Sequence, residues 1–125
     1  MTIAELIKQR TLAKPEKRRH NRIFLCLPME YSFPESSCPR FAHTVDICED
    51  GLLMYVLGKL EIGQDLRVKV YYDSASGIDC IEALGEVIRV DRLGKSGNEY
   101  QCAVKFVDLS SDILKQFRKF LKSLY

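Results

Sequence analysis

The 125 residues define one domain, long enough to bury its own core. A hydrophobic fraction of 46% excludes a disordered chain, and no apolar run approaches the roughly 20 residues of a membrane span. The net charge of +2 is unevenly spread: residues 8–22 hold seven basic side chains against Glu16, leaving twelve basic and sixteen acidic residues elsewhere, which points to an anionic partner for that segment.

The chain opens on a short predicted helix over 1–14. Thr2 can cap it, Glu5 fits the capping-box position, and Ile3, Leu6 and Ile7 share a face. Pro15 opposes continuation beyond about Lys14. Residues 15–22 are charged and aperiodic, which predicts a mobile basic loop. From Ile23 the period changes to two, and Ile23, Leu25, Leu27 and Met29 fall on one strand face. A loop with Pro34 and Pro39 follows.

Phe41 to Cys48 reads as the next strand. Phe41, His43, Val45 and Ile47 are expected on the inward face, with Asp46 and Cys48 on the other. Glu49-Asp50-Gly51 is a turn in which Gly51 is a candidate for positive φ, and Leu52 to Leu57 returns as a strand. After Gly63, the residues Leu66, Val68, Val70 and Tyr72 alternate inward, and Ser74 to Gly77 makes a turn. Ile78 to Asp91 is long for one straight strand, so Gly85 predicts a bulge or bend. Residues 94–98 form a hairpin loop, and Tyr100, Cys102, Val104 and Phe106 give the last strand its inward face. Ser110 or Ser111 then caps a helix whose stripe is Ile113, Phe117, Phe120, Leu121 and Leu124. About six short strands and a terminal helix predict a mainly β fold, a small antiparallel barrel with one helix packed against it.

The N-terminus shows no apolar core followed by a cleavage site. The five cysteines are odd in number, scattered and without C-x-x-C spacing, so reduced thiols in a cytoplasmic protein are expected. No His/Cys/carboxylate cluster suggests a metal, and no nucleophile–base pair suggests catalysis. The expectation is a protein that is not an enzyme and carries no cofactor.

Two short motifs carry a more specific signal. Lys17-Arg18-Arg19-His20-Asn21-Arg22 sets Arg18 and Arg22 four residues apart, and Asp46-Ile47-Cys48-Glu49-Asp50-Gly51 leads into an apolar strand. In this order they resemble the PilZ domain, a bacterial receptor module for cyclic di-GMP, whose pattern is RxxxR followed by [D/N]xSxxG. The final strand, Ala103 to Leu109 followed by a helix, is similar to how that family closes its barrel. The resemblance covers about residues 16–125. It implies a six-stranded barrel with a C-terminal helix, with 23–125 as barrel plus helix and 15–22 as ligand-binding loop.

The resemblance also implies that Arg18 and Arg22 are the principal ligand contacts, with Lys17 and Arg19 beside them and Asp46, Cys48 and Gly51 on the opposite wall. The chemistry fits: a guanidinium fork donates two hydrogen bonds to guanine O6 and N7 or to a phosphate, and its flat face stacks on a base. A carboxylate at Asp46 can accept from guanine N1–H and N2–H. The family's side chain at the Lys17 position bears on whether one ligand or a stacked pair is held, and a basic residue is compatible with the pair. Cys48 departs from the family's Ser. A thiol is the poorer hydrogen-bonding group, and losing one neutral bond of about 0.5–1.5 kcal/mol predicts roughly three- to tenfold weaker binding.

These readings lead to a second-messenger receptor that acts in trans on an unidentified protein partner. One alternative is an adaptor of the same fold that no longer binds the ligand. Another is a nucleic-acid-binding barrel, disfavoured because aromatics such as Tyr72, Tyr100 and Phe106 alternate inward instead of forming an exposed stacking face. The bland alternatives are a solvated basic linker for residues 15–22 and an ordinary hairpin with a polar face for residues 46–51.

Overall fold

Alternating apolar residues build most of the fold. In the computed structural model, which describes residues 23–95 and 97–124, the strands are β1 (Ile23–Phe24), β2 (Pro28–Ser32), β3 (Arg40–Cys48), β4 (Gly51–Leu57), β5 (Asp65–Ser74), β6 (Gly77–Arg92) and β7 (Glu99–Asp108). Helix α1 (Ser111–Ser123) follows. The helix expected over 1–14 and the basic loop over 15–22 lie outside the described residues.

Every strand pairing is antiparallel. The order β3-β2-β5-β6-β7-β4 closes on itself through the β3–β4 ladder, giving a six-stranded barrel. Closure removes the unpaired edges of an open sheet. The seventh strand, β1, adds to β3 beside the barrel, with Ile23 opposite Ile47 and Phe24 opposite Asp46. Inside, Leu66, Val68, Val70 and Tyr72 of β5 meet Ile81 and Val87 of β6 and Cys102 and Val104 of β7, all buried as their alternation predicts.

The first predicted strand is split in two. Ile23, Leu25, Leu27 and Met29 are all buried, but residues 25–27 leave the ladder between β1 and β2. Thr44 bridges the gap. Its buried hydroxyl accepts from Leu27 N–H at 2.8 Å and donates to the Leu25 carbonyl, while Leu25 N–H reaches the Val45 carbonyl at 3.1 Å. Pro28 starts β2, where a strand tolerates a residue without a donor.

The facing of β3 departs from the sequence reading. Its register shifts between Thr44 and Asp46, so Val45 is an extra residue. Such a bulge resets the parity of the strand. Ala42 and Thr44 face inward before it and Ile47 after it. Phe41, expected inside, is 78% exposed. His43 instead stacks on Tyr55 across the β3–β4 ladder, with ring centroids 4.9 Å apart.

Two further irregularities shape β6. The register slips between Leu84 and Gly85, where the glycine predicted a bulge, and again between Val87 and Arg89. At the C-terminal end, Ser110 Oγ accepts from Ile113 N–H at 3.2 Å and caps α1. Phe117, fully buried, lies edge-on to Phe106 of β7, and Phe120 packs on Tyr72 of β5 with centroids 4.4 Å apart. Leu121 and Leu124 complete the buried stripe. Among the described residues, no helix is long and apolar enough to cross a membrane.

Candidate functional site

The second sequence motif is the tight end of the β3–β4 hairpin. Cys48 pairs with Gly51, and Glu49-Asp50 makes the turn between them. Four contacts hold this turn. The backbone N–H groups of Asp50 and Gly51 donate to the Cys48 sulfur, and Phe106 N–H of β7 donates to the Asp50 carbonyl at 2.8 Å. Glu49 accepts from Arg118 Nε of α1. Gly51 presses against β7 so closely that a Cβ there would stand 2.1 Å from the Val104 carbonyl oxygen.

Gly51 therefore serves a different purpose from the one expected. It is not among the glycines with positive φ. The residue is needed because the backbone of β7 occupies the space a side chain would take.

Cys48 is half-buried, and burial pushes its thiol above the ordinary value. The two backbone N–H groups pull the other way, while the carboxylates of Asp50 and Asp46 add to the rise. At neutral pH the group is a neutral thiol that accepts backbone hydrogen bonds. It fills the turn-closing place that a serine hydroxyl would occupy.

Beside the turn lies a cleft of about 370 Å³ on the outer surface of β3, β4, β6 and β7. Asp46, Cys48, Asp50 and Gly51 line one side; Leu53, Ala103 and Ile88 give it an apolar floor and wall; Lys105 adds a positive charge. Asp46 is only 4% exposed, although it points away from the barrel interior, because β1 and β4 flank it at Phe24 and Leu53. The small Ala103 side chain, between Leu53 and Arg89 in the ladders, leaves the hollow.

The structure thus brings Asp46, Cys48 and Gly51 together, as the motif suggested. Lys17, Arg18, Arg19 and Arg22 lie outside the described residues. Sequence reasoning missed Leu53, Ala103, Lys105 and Ile88. The alternation of β7 could have found Ala103 and Lys105, since Cys102, Val104 and Phe106 face in. Ile88 carried no such signal, because the second β6 bulge turns it outward.

A larger cavity of about 480 Å³ sits on β2, β5 and β6, away from the motif. There Lys69 pairs with Glu82 at 3.4 Å and Glu30 accepts from the Tyr71 hydroxyl at 3.1 Å, while Arg67 and Asp108 also line the cavity.

A profile of the PilZ domain matches residues 16–123. The chain belongs to the PilZ domain family. Solved structures share the fold at low sequence identity. The Bacillus subtilis inhibitor of motility MotI/DgrA superposes with a TM-score of 0.69 at 14% identity, over 88% of this chain and 54% of that one, so the chain spans about half of it. The PilZ domain of Escherichia coli YcgR, solved with c-di-GMP, gives 0.66 at 16% identity over 87% and 92%. Escherichia coli YcgR in complex with c-di-GMP gives 0.63 at 15% identity over 87% and 46%. Comparison with curated proteins finds no match.

Proposed function

We propose that this protein is a cyclic di-GMP receptor, a binding module that passes the signal to a protein partner. The observation that carries the reading is the register of β1. Ile23 opposite Ile47 and Phe24 opposite Asp46, antiparallel, mean that the chain enters β1 from the Cys48 end of β3. The described chain therefore begins at the end of β3 that borders the cleft, and Arg22 directly precedes it in sequence.

In this reading, Arg18 and Arg22 close over the ligand from one side, with Lys17 and Arg19 adding positive potential. Their forks suit both phosphates and the guanine O6/N7 edge. Asp46 accepts from guanine N1–H and N2–H, and the apolar floor of Leu53 and Ala103 receives a base face. Lys105 offers a charge to a phosphate. Ordering of residues 15–22 on the ligand then alters a surface seen by the partner. The five free cysteines fit a reducing, cytoplasmic setting.

Calorimetric titration of cyclic di-GMP into the wild type and into Arg18→Ala/Arg22→Ala tests this directly. Saturable heat lost in the double variant is expected, and the stoichiometry distinguishes one ligand from a stacked pair. The thiol at position 48, a poor partner for a polar ligand, favours a second reading: an adaptor that works by protein contacts alone. An absence of heat in the wild type would select it.

A further inference from the structure

Helix α1 lies outside both sequence motifs, yet one of its side chains reaches the ligand turn. We infer that Arg118 is a positioning residue of the cyclic di-GMP site, acting through Glu49, so that ligand binding and the docking of α1 are energetically coupled. The inference rests on the cyclic di-GMP reading and names a regulatory contact of that same site.

The strand end and turn carry Asp46, Glu49 and Asp50 within one short stretch, beside a cleft proposed to receive a ligand with two phosphates. Glu49 is the carboxylate that α1 addresses, and its side chain is only 17% exposed. The Arg118 guanidinium donates to it from a position 69 residues away in sequence. Arg118 offsets that negative charge and fixes where the turn's backbone sits.

The mechanical side is equally specific. Arg118 follows Phe117, which is fully buried against Phe106, so its reach to Glu49 is set by how α1 seats on the barrel. Phe106 in turn donates its N–H to Asp50 of the same turn. The turn, the end of β7 and α1 therefore form one closed circuit of contacts. Linkage is reciprocal: whatever Arg118 adds to ligand affinity, the ligand adds to the seating of α1.

A double-mutant cycle on ligand affinity tests the idea, using calorimetry with cyclic di-GMP on the wild type, Arg118→Ala, Glu49→Gln and the pair. Arg118→Ala is expected to weaken binding by about fivefold, because the turn beside the cleft loses the contact that ties it to α1. Adding Glu49→Gln should restore affinity to within about twofold of Glu49→Gln alone. Hydrogen exchange gives the reciprocal readout: saturating ligand should slow α1 amides in the wild type and not in Arg118→Ala. Unchanged affinity in Arg118→Ala, additive effects of the two substitutions, or α1 exchange indifferent to ligand would each overturn this inference alone. A wild type that binds no cyclic di-GMP would overturn the receptor reading, and this inference with it.

Discussion

Two hairpin turns of the barrel use glycine for opposite reasons. The β5–β6 turn, Ser74 to Gly77, is closed by its own local bonds. Its Gly77 has φ +121°, a Cβ there would meet nothing within 4 Å, and Ser74 Oγ bonds to the Gly77 carbonyl at 3.0 Å. The β3–β4 turn is bound to its surroundings on every side. Its Gly51 needs no unusual φ, but the β7 backbone leaves no space for a side chain, and contacts run from the turn to β7 and to α1. The first turn needs its glycine for backbone conformation. The second holds donors and carboxylates in place at a cleft, and a site assembled on such a turn starts preorganised.

The strongest way to break this contrast is Gly51→Ala. The clash with backbone cannot be relieved by rotating a side chain, so a loss of about 3 kcal/mol is expected in urea unfolding, together with loss of ligand binding. Gly77→Ala should cost about 1–2 kcal/mol from backbone strain alone, leaving ligand affinity where it was. Cys48→Ser sharpens the comparison from the other direction. It restores a better hydrogen-bonding group on the anchored turn and should tighten cyclic di-GMP binding three- to tenfold (about 0.5–1.5 kcal/mol), with little change in stability. The smallest effect is a difference in thiol reactivity. At about pH 8, mass spectrometry should find Cys26 and Cys38, both exposed, alkylated first, Cys48 more slowly, and Cys102 last. Burial pushes the Cys102 thiol up to about 11, so its labelling should wait for a higher pH than that of Cys48.

Regular alternation was legible and irregular alternation was not. Leu66, Val68, Val70 and Tyr72 announced β5 because nothing interrupts their period. The stripe of α1 and its Ser110 cap were equally clear. Phe41 and His43 were misplaced because Val45 is an inserted residue that no local preference marks, Thr and Val being good strand formers on either side of a bulge. The break at residues 25–27 was hidden for a similar reason. The inward residues keep their spacing while the ladder passes to a Thr44 hydroxyl. At the site, Asp46, Cys48 and Gly51 could be grouped from one contiguous motif. Arg118 could not, since only the packing of Phe117 carries that side chain to a turn so distant in sequence.

The split strand beside β3 also has a mechanical meaning. Barrel closure runs through the β3–β4 seam and through β2, whereas β1 contributes only the pairs Ile23–Ile47 and Phe24–Asp46. A pull on the chain ahead of Ile23 therefore loads a two-residue zipper first, without opening the barrel. The next resistance is the buried Thr44 clamp on Leu25 and Leu27, where further peeling would strand polar groups in the core. The N-terminal strand thus has a built-in stop, and its first release costs the burial of Ile23 but none of the ladders among the six strands behind.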